Sequence, residues 1–432
     1  VSTKYKYDEV GNIVELHQRL GISADTLNKI NLGEMETYAV NYMEDIITKY
    51  NYDQRGLLVE EINPNKKVTA YSYDGNGNLV SKTDADGYET FYEYDAINNL
   101  TKKAYDDGKY VTYEYNLLGL VTSMEDWLGN NQYERDILGR LTKVKDYEGK
   151  VIEYTWGSMN EKQSMKYPDG SLVSYKYDSM GRLLEVSDNY GNKTGYTYNQ
   201  NGLLVTEQLP NSVTTGFFYD ALSRLVEMDV RDDNGSVINN YKYSYDAVGN
   251  RLTSKEISSN KGNRKRESSQ QYKFDVMNQL VEVKASDNTT ERYFYDTLGN
   301  RVRKEFYSRN KMQVETDYIY DSVSQLIKIT GNDVTGNYTA SESVSLSYDD
   351  RGNLIRLESD ERIVGQYSFD ASNRMVESVN KFGIVSRYQY DGAGRRIKQS
   401  IELPRVNIPT KADPKKNRTD ELNDLSFKRE IN

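Results

Sequence analysis

Along most of the chain, apolar and polar positions alternate with a period of two, broken by short clusters of Asp, Asn and Gly. Period-two alternation over about six residues predicts half-buried β-strands, and the polar clusters predict the turns between them. In the stretch Tyr71-Ser72-Tyr73-Asp74-Gly75-Asn76-Gly77-Asn78-Leu79-Val80, Tyr71 and Tyr73 lie two apart and so project from one face of a strand. Asp74 opens a turn, because its carboxylate can accept hydrogen bonds from backbone N–H groups further on. Gly77 stands where a type I turn with a G1 bulge needs a left-handed residue, and Leu79 begins the return strand. The same order returns at Tyr175, Tyr177, Asp178, Gly181, Arg182 and Leu183, and again at Tyr293, Tyr295, Asp296 and Gly299. A second turn closes each unit about ten residues later, at Asp84-Ala85-Asp86-Gly87, Asp106-Asp107-Gly108 and Pro168-Asp169-Gly170. Asp-Gly between alternating runs is a strong hairpin signal.

Aligned on the second aromatic, the pattern gives 17 units, and from Tyr52 to Tyr219 the steps are 21 residues with one of 20. At one position, Arg135, the aromatic is lost, and at Trp156 it is exchanged. The first step of 45 leaves room for one degenerate unit, and residues 21–49 break the pattern, with Met35 to Met43 read as a short helix or divergent hairpin. Steps of 25 to 29 between Tyr219 and Tyr348 place insertions in longer loops over 220–350, among them Asn260 to Arg266. The array therefore covers residues 1–400, and 401–432 is a charged, proline-containing tail or linker, or an extension lying on the sheet. The chain begins inside its own repeat, which reads as a segment of something longer.

The predicted fold is all-β: tandem hairpins in one long antiparallel sheet. Some 34 strands at about 4.8 Å would make roughly 160 Å of sheet. Open twisted sheets rarely exceed about ten strands without curling, and the twist has a fixed hand. The expected shape is a spiral, hollow or concave, and a single closed turn would be roughly 50 Å across.

Composition alters this picture little. The mean hydropathy of −0.82 would suggest disorder, but 39 tyrosines supply aromatic surface and the apolar positions are periodic. A net charge of −10, with both signs interspersed, gives no global reason to bind nucleic acid. No apolar run reaches the 18 or so residues of a helical membrane span, so no membrane insertion is expected. Cysteine is absent, which removes disulfides and thiolate chemistry.

The repeat resembles the YD-repeat, or RHS-repeat, family, whose pattern Tyr-Asp-x-x-Gly-Arg-Leu is met from Tyr177 to Leu183, with near matches at Tyr94, Tyr219 and Tyr390. The resemblance implies a large β-sheet shell that winds around a lumen, as in bacterial RHS and wall-associated polymorphic toxins, toxin-complex C components and teneurins. In the bacterial cases such shells enclose a toxic C-terminal domain. It also implies, as partners, a toxin-like cargo polypeptide and the remaining shell segments, and a secreted or cell-surface location on a bacterium. These shells usually end in a self-cleaving Asp-Pro-x-Gly element; here Lys415 and Lys416 follow Asp413-Pro414, so no cleavage residues are carried over.

No catalytic, cofactor-binding or metal-binding residues are expected, and the chain is read as non-enzymatic. His17 is the only histidine and reads as a surface residue. Asp74 to Asn78 resembles the start of a calcium loop, but Leu79 and Ala85 stand where glycine and a bidentate Glu belong. The recurrence of that Asp in nearly every unit points to turn chemistry. The tyrosines are expected to pack in ladders between units. The alternative of an adhesin binding a glycan or cell-surface ligand meets a chain with only Trp127 and Trp156, where such modules lean on Trp. A β-propeller would need odd and even units to differ, and they do not.

Overall fold

The computed structural model describes residues 2–19, 46–259, 265–333, 342–359, 362–404 and 428–431. These residues form 35 strands, and each strand pairs antiparallel with the next in sequence, from Ser2–Tyr7 with Ile13–Arg19 to Arg396–Glu402 with Lys428–Ile431. The result is one continuous meander, all-β.

Each unit is built as its local chemistry dictates. The strand Val68–Tyr73 ends in the pair Tyr73↔Leu79, and the register shifts between Ser72 and Tyr73, where the bulge falls. Asp74 N bonds Asn78 O at 3.0 Å and Gly77 N bonds Asp74 O at 3.2 Å, closing the turn. Gly77 has φ +87°, a left-handed conformation that costs glycine nothing. In several units Asn or Ser takes the same place, as Asn98, Ser223 and Asn278 do. The hairpin turn at the other end of each unit closes in the same way, for example Gly87 N to Asp84 O at 2.9 Å. All the described turns thus fall on two rims, with the Tyr-Asp turns on one and the second hairpin turns on the other.

Two features depart from the sequence reading. Glu15 to Gln18 pair directly with Ile46 to Lys49, so no strand is interposed at the degenerate position; residues 20–45, including Met35 to Met43, lie outside the described residues. The long steps do not make only loops. Val237–Tyr245 and Arg251–Ser259 run to nine residues each, and Lys265–Phe274 and Lys311–Tyr320 to ten, so inserted residues extend the ladder. Backbone groups added on both sides of a hairpin can pair with each other, which a loop would leave to solvent. The terminal stretch Lys428–Ile431 pairs with Arg396–Glu402 as the last edge strand of the sheet.

The sheet does not run straight. The turn after the fourth strand, Leu58–Ile62, meets the turn after the twenty-seventh, Lys311–Tyr320: Asn65 Nδ2 donates to Asp321 Oδ2 at 3.1 Å. The turn after the sixth strand, Leu79–Thr83, meets that after the twenty-ninth, Glu342–Tyr348, where Arg351 Nε donates to Asp86 Oδ2 at 2.8 Å. The turn after the tenth strand, Val121–Asp126, meets that after the thirty-third, Val385–Tyr390, where Gly392 N donates to Asp126 Oδ2 at 2.6 Å. In every case the offset is 23 strands. The sheet therefore closes into a spiral of 23 strands per coil, roughly 110 Å around and roughly 35 Å across. That is narrower than one closed turn of all the strands, because the last third of the sheet overlaps the first. Strand count alone gives the length of a sheet; twist and coiling set its radius.

Candidate functional site: the wall and its seam

The repeat signature residues occupy one compact arrangement per unit. Asp178 accepts from Met180 N and Arg182 N, both at 2.9 Å, through Oδ1, while Oδ2 takes the Arg182 Nε–H at 2.6 Å. The backbone N–H of Arg182, set against burial, holds the Asp178 carboxyl below the usual carboxylate range. Gly181, at φ +78°, lets the chain turn back between them. Arg182 then reaches the next unit: Nη1 donates to Asn199 O at 3.2 Å, and the guanidinium lies 5.0 Å from the Tyr198 ring centre. Leu183, paired with Tyr177, offers its carbonyl to the Tyr198 hydroxyl at 2.8 Å. One unit's turn is thereby clamped to the next unit's strand.

The other units repeat this with small exchanges. Asp74 Oδ1 accepts from Asn76 N and Asn78 N at 2.9 and 2.8 Å, and Asn78 Nδ2 replaces the arginine on Oδ2 at 2.9 Å. Both oxygens of the calcium-like Asp are thus occupied by its own turn. Asp296 does the same with Leu298 N, Asn300 N and Asn300 Nδ2, and Gly299 has φ +89°. Tyr73 and Tyr295 donate to Leu58 O and Leu280 O at 2.9 and 2.8 Å. Tyr71, Tyr175 and Tyr293, two residues earlier on the same face, carry cations instead: Lys82 at 6.0 Å, Lys162 at 5.6 Å and Arg301 at 5.8 Å from the ring centres. Tyr293 also donates to Glu291; burial first, and then this bond, push its hydroxyl well above the usual phenol range.

The hydroxyl-to-carbonyl bond is the feature the sequence reading missed. It fixes the expected tyrosine ladders differently: among the described residues the one close ring pair is Tyr5 with Tyr7, at 6.4 Å. The aromatic row works through its donors. Trp156 Nε1 donates to Leu141 O at 2.7 Å, and Arg135, where the aromatic is lost, still donates from Nε to Val121 O at 3.4 Å. Tyr, Trp and Arg are all long side chains with an N–H or O–H at the tip, and that shared property was readable in the sequence.

The opposite face of the sheet is polar. Its cross-strand pairs are Ser72 with Ser81, Lys102 with Glu93 and Thr155 with Ser164. His17 is not a surface residue: it is buried, with Nε2 2.7 Å from Glu15 Oε2. Among the described residues no group of three or more His, Cys, Asp and Glu side chains could hold a metal ion.

Among the described residues, distant parts of the chain meet at the seam between coils. The Arg351 side chain, 7% exposed, pairs with Asp86, lies 4.4 Å from the Tyr88 ring centre and donates to Asp370 O at 3.0 Å. Asp350 N donates to Asp86 Oδ1 at 2.8 Å, and Lys67 binds Asp350 at 2.6 Å. Trp127 Nε1 donates to Tyr390 O at 3.1 Å, with Lys109 and Arg374 flanking its ring at 5.6 and 5.5 Å. Burial raises the Asp107 carboxyl, but the Lys109 ammonium bonded to it and the facing Arg374 hold it below the usual range. Gly392 is required here: a Cβ would stand 2.7 Å from both Val111 and Asp126.

Comparison with known proteins identifies this architecture. The Teneurin YD-shell family matches residues 163–362 and, in an overlapping match, 211–402, together more than half of the chain. The chain belongs to that family. The RHS repeat family matches residues 52–90 and 94–130, so most of the YD array falls within one or the other. Curated protein sequences gave no match. Among solved structures, the crystal structure of TcdB2-TccC3-TEV is similar at 16% identity and a TM-score of 0.59, over 94% of this chain and 23% of that one. The Tc holotoxin pore of Photorhabdus luminescens is similar at 16% identity and a TM-score of 0.56, over 93% of this chain and 23% of that one. At these identities the likeness is one of fold. The YD chain spans about a quarter of the length of those proteins.

Proposed function

We propose that this chain is a wall segment of a hollow YD shell that encloses a polypeptide cargo, and that it acts by steric sequestration rather than catalysis. The observation that carries the reading is the closed coil: turns 23 strands apart are bonded to each other, which makes a strip of hairpins into a wall around a space. Curvature crowds side chains on the concave face and spreads those on the convex face. The tyrosine face is the more crowded, with Tyr92, Tyr113 and Tyr133 half-buried between exposed Glu93, Glu114 and Glu134. It is therefore assigned to the lumen. A lumen lined by phenols, with Lys and Arg lying over their rings, offers an enclosed chain many weak contacts and no single specific site. One of the similar solved structures is a holotoxin pore, which supports a toxin-like cargo, other shell segments as partners, and a secreted or cell-surface setting.

The test is protease protection. A polypeptide without stable structure is fused after Asn432, and its digestion is followed beside the same polypeptide on an unrelated carrier. Protection on the shell, lost when Arg351→Ala opens the seam, supports the reading. Digestion at the carrier's rate would overturn it.

A further inference from the structure

The two rims of the spiral differ in chemistry between the stretch engaged at the seam and the stretch that is free. On the Tyr-Asp rim, the third residues of the engaged turns are Val323, Arg351, Ser372 and Ala393, of which the small Ala393 alone is exposed. Over five successive turns of the free stretch, from Ile97 to Met180, the third residue is bulky and apolar, whereas Arg55 and Asn76 before them and Asn201 after them hold the same place. Leu118 and Leu138 are 69% exposed each, and Ile97 and Met180 are similarly bare. On the opposite rim the engaged turns carry Asn65, Asp86, Asp107 and Trp127, whereas three successive free turns carry exposed Pro168, Tyr190 (78% exposed) and Pro210, beyond which the turns at 232–235, 286–288 and 309–310 are polar.

Scattered apolar residues on a surface need no explanation, but a contiguous apolar row marks an interaction site. Here there are two short rows, on opposite rims of one coil: the turns from Ile97 to Met180 on one, and those of Pro168, Tyr190 and Pro210 on the other. Both follow the same spacing of about 21 residues, or two strands, so their turns fall at the same interval of roughly 9.6 Å. The seam shows, within this molecule, that the second rim seats on the Tyr-Asp rim. The free stretches continue those two edges without interruption.

We propose that the free rims bind each other between molecules: a second copy of the chain stacks head-to-tail, with Leu118, Leu138 and Met180 of one copy against the Tyr190 and Pro168 rim of the other. Such a contact joins two different surfaces and is heterologous, so it does not close on a dimer and continues into longer stacks. Its apolar centre matches what distinguishes protein interfaces, enrichment in aromatic residues and Met with few charges. The stacking does not depend on whether the lumen holds a cargo.

The experiment is sedimentation velocity over a concentration series with three proteins: the unmodified chain, Leu118→Asp/Leu138→Asp, and Tyr190→Asp/Pro168→Asp. These side chains are exposed in turns, and unchanged far-ultraviolet circular dichroism and melting temperature confirm that each variant folds. The unmodified chain is expected to form dimers and longer stacks as concentration rises. Each variant alone is expected to remain monomeric, and a mixture of the two to form a dimer that grows no further, since each contributes one intact rim. An unmodified chain that stays monomeric throughout would overturn the proposal. So would variants that assemble as the unmodified chain does, or a mixture in which no heterodimer forms.

Discussion

Removing one hydroxyl tests the idea that tyrosine donors fasten unit to unit. In Tyr198→Phe the ring stays, Arg182 keeps its stacking surface, and only the 2.8 Å bond to Leu183 O is lost. A typical intramolecular hydrogen bond contributes about 0.5–1.5 kcal/mol net. The site is half-buried, so water can partly replace the donor, and the expected loss is about 1 kcal/mol. With a urea slope of about 3 kcal/mol/M, that lowers the midpoint by about 0.3 M with no change of slope. The double variant Tyr94→Phe/Tyr198→Phe removes a second bond, Tyr94 to Leu79 O at 3.0 Å, ten strands away. At that separation the two losses should add, giving about 2 kcal/mol. Tyr110→Phe is the control, because that hydroxyl makes no hydrogen bond in the described structure and the residue is exposed. If Tyr198→Phe proves as neutral as Tyr110→Phe, the rings and not their hydroxyls hold the units together, and the account of the repeat is wrong.

The remaining predictions concern the turn, the seam and pH. Gly181→Ala forces a side chain into φ +78° and should cost about 1–2 kcal/mol, whereas Gly181→Asn should cost less than half as much, since Asn98 and Asn278 already adopt that conformation; thermal melts compare them. Arg351→Ala leaves the partly buried Asp86 carboxylate with the Asp350 N–H but no cation, a loss of about 2–3 kcal/mol, below the full cost of breaking a buried pair, and hydrogen exchange should rise at residues 84–88 and 349–352 before it rises elsewhere. Acid should loosen the turns that Asp74, Asp178 and Asp220 open. The carboxyls of Asp74, Asp178 and Asp220 lie below their usual range, held there first by hydrogen bonds within the turn, Asn78 for Asp74 and the Arg182 and Arg224 N–H groups for the other two. Glu15 is pulled down to about 2, chiefly by the Lys6 ammonium and then His17. A carboxyl lowered by folding adds stability above its unfolded value near 4 and gives it up as pH falls through the folded value. The urea midpoint should therefore be steady from pH 7 to about pH 5 and decline from about pH 4 to pH 2; a midpoint that is flat over that lower range would contradict the turn assignments.

What could be read from sequence was what the neighbouring residues decide. Period-two alternation, the Asp that opens each turn and the glycine that permits it are local, so strands and turns around Tyr73 or Tyr177 could be placed without a structure. The tyrosine bond lay beyond that reach, because Tyr198 and its acceptor Leu183 are 15 residues apart and meet only through the register of a neighbouring hairpin. Arg135 and Trp156 held the missed clue, as donors in place of tyrosine. The extra residues between Tyr219 and Tyr348 looked like loops, because matched extension of two paired strands leaves the same mark in spacing as an insertion. The seam was invisible for a different reason. Arg351 and Asp86 are 265 residues apart, and what brings them together is curvature accumulated over 23 strands, to which no single strand contributes a recognisable signal.

Closure of the sheet into a coil is the claim on which the shell rests, and one cross-link tests it. The chain contains no cysteine, so Asn65→Cys/Ser322→Cys introduces a single possible disulfide. The two side chains are hydrogen-bonded partners across the seam, whereas in an uncoiled ribbon, 23 strands apart, they would stand roughly 110 Å from each other. Under mild oxidation at low protein concentration, the account predicts an intramolecular disulfide, seen as a faster-migrating species on a non-reducing gel that reverts with reductant. A protein that stays uncross-linked, or that links only between molecules, would contradict it.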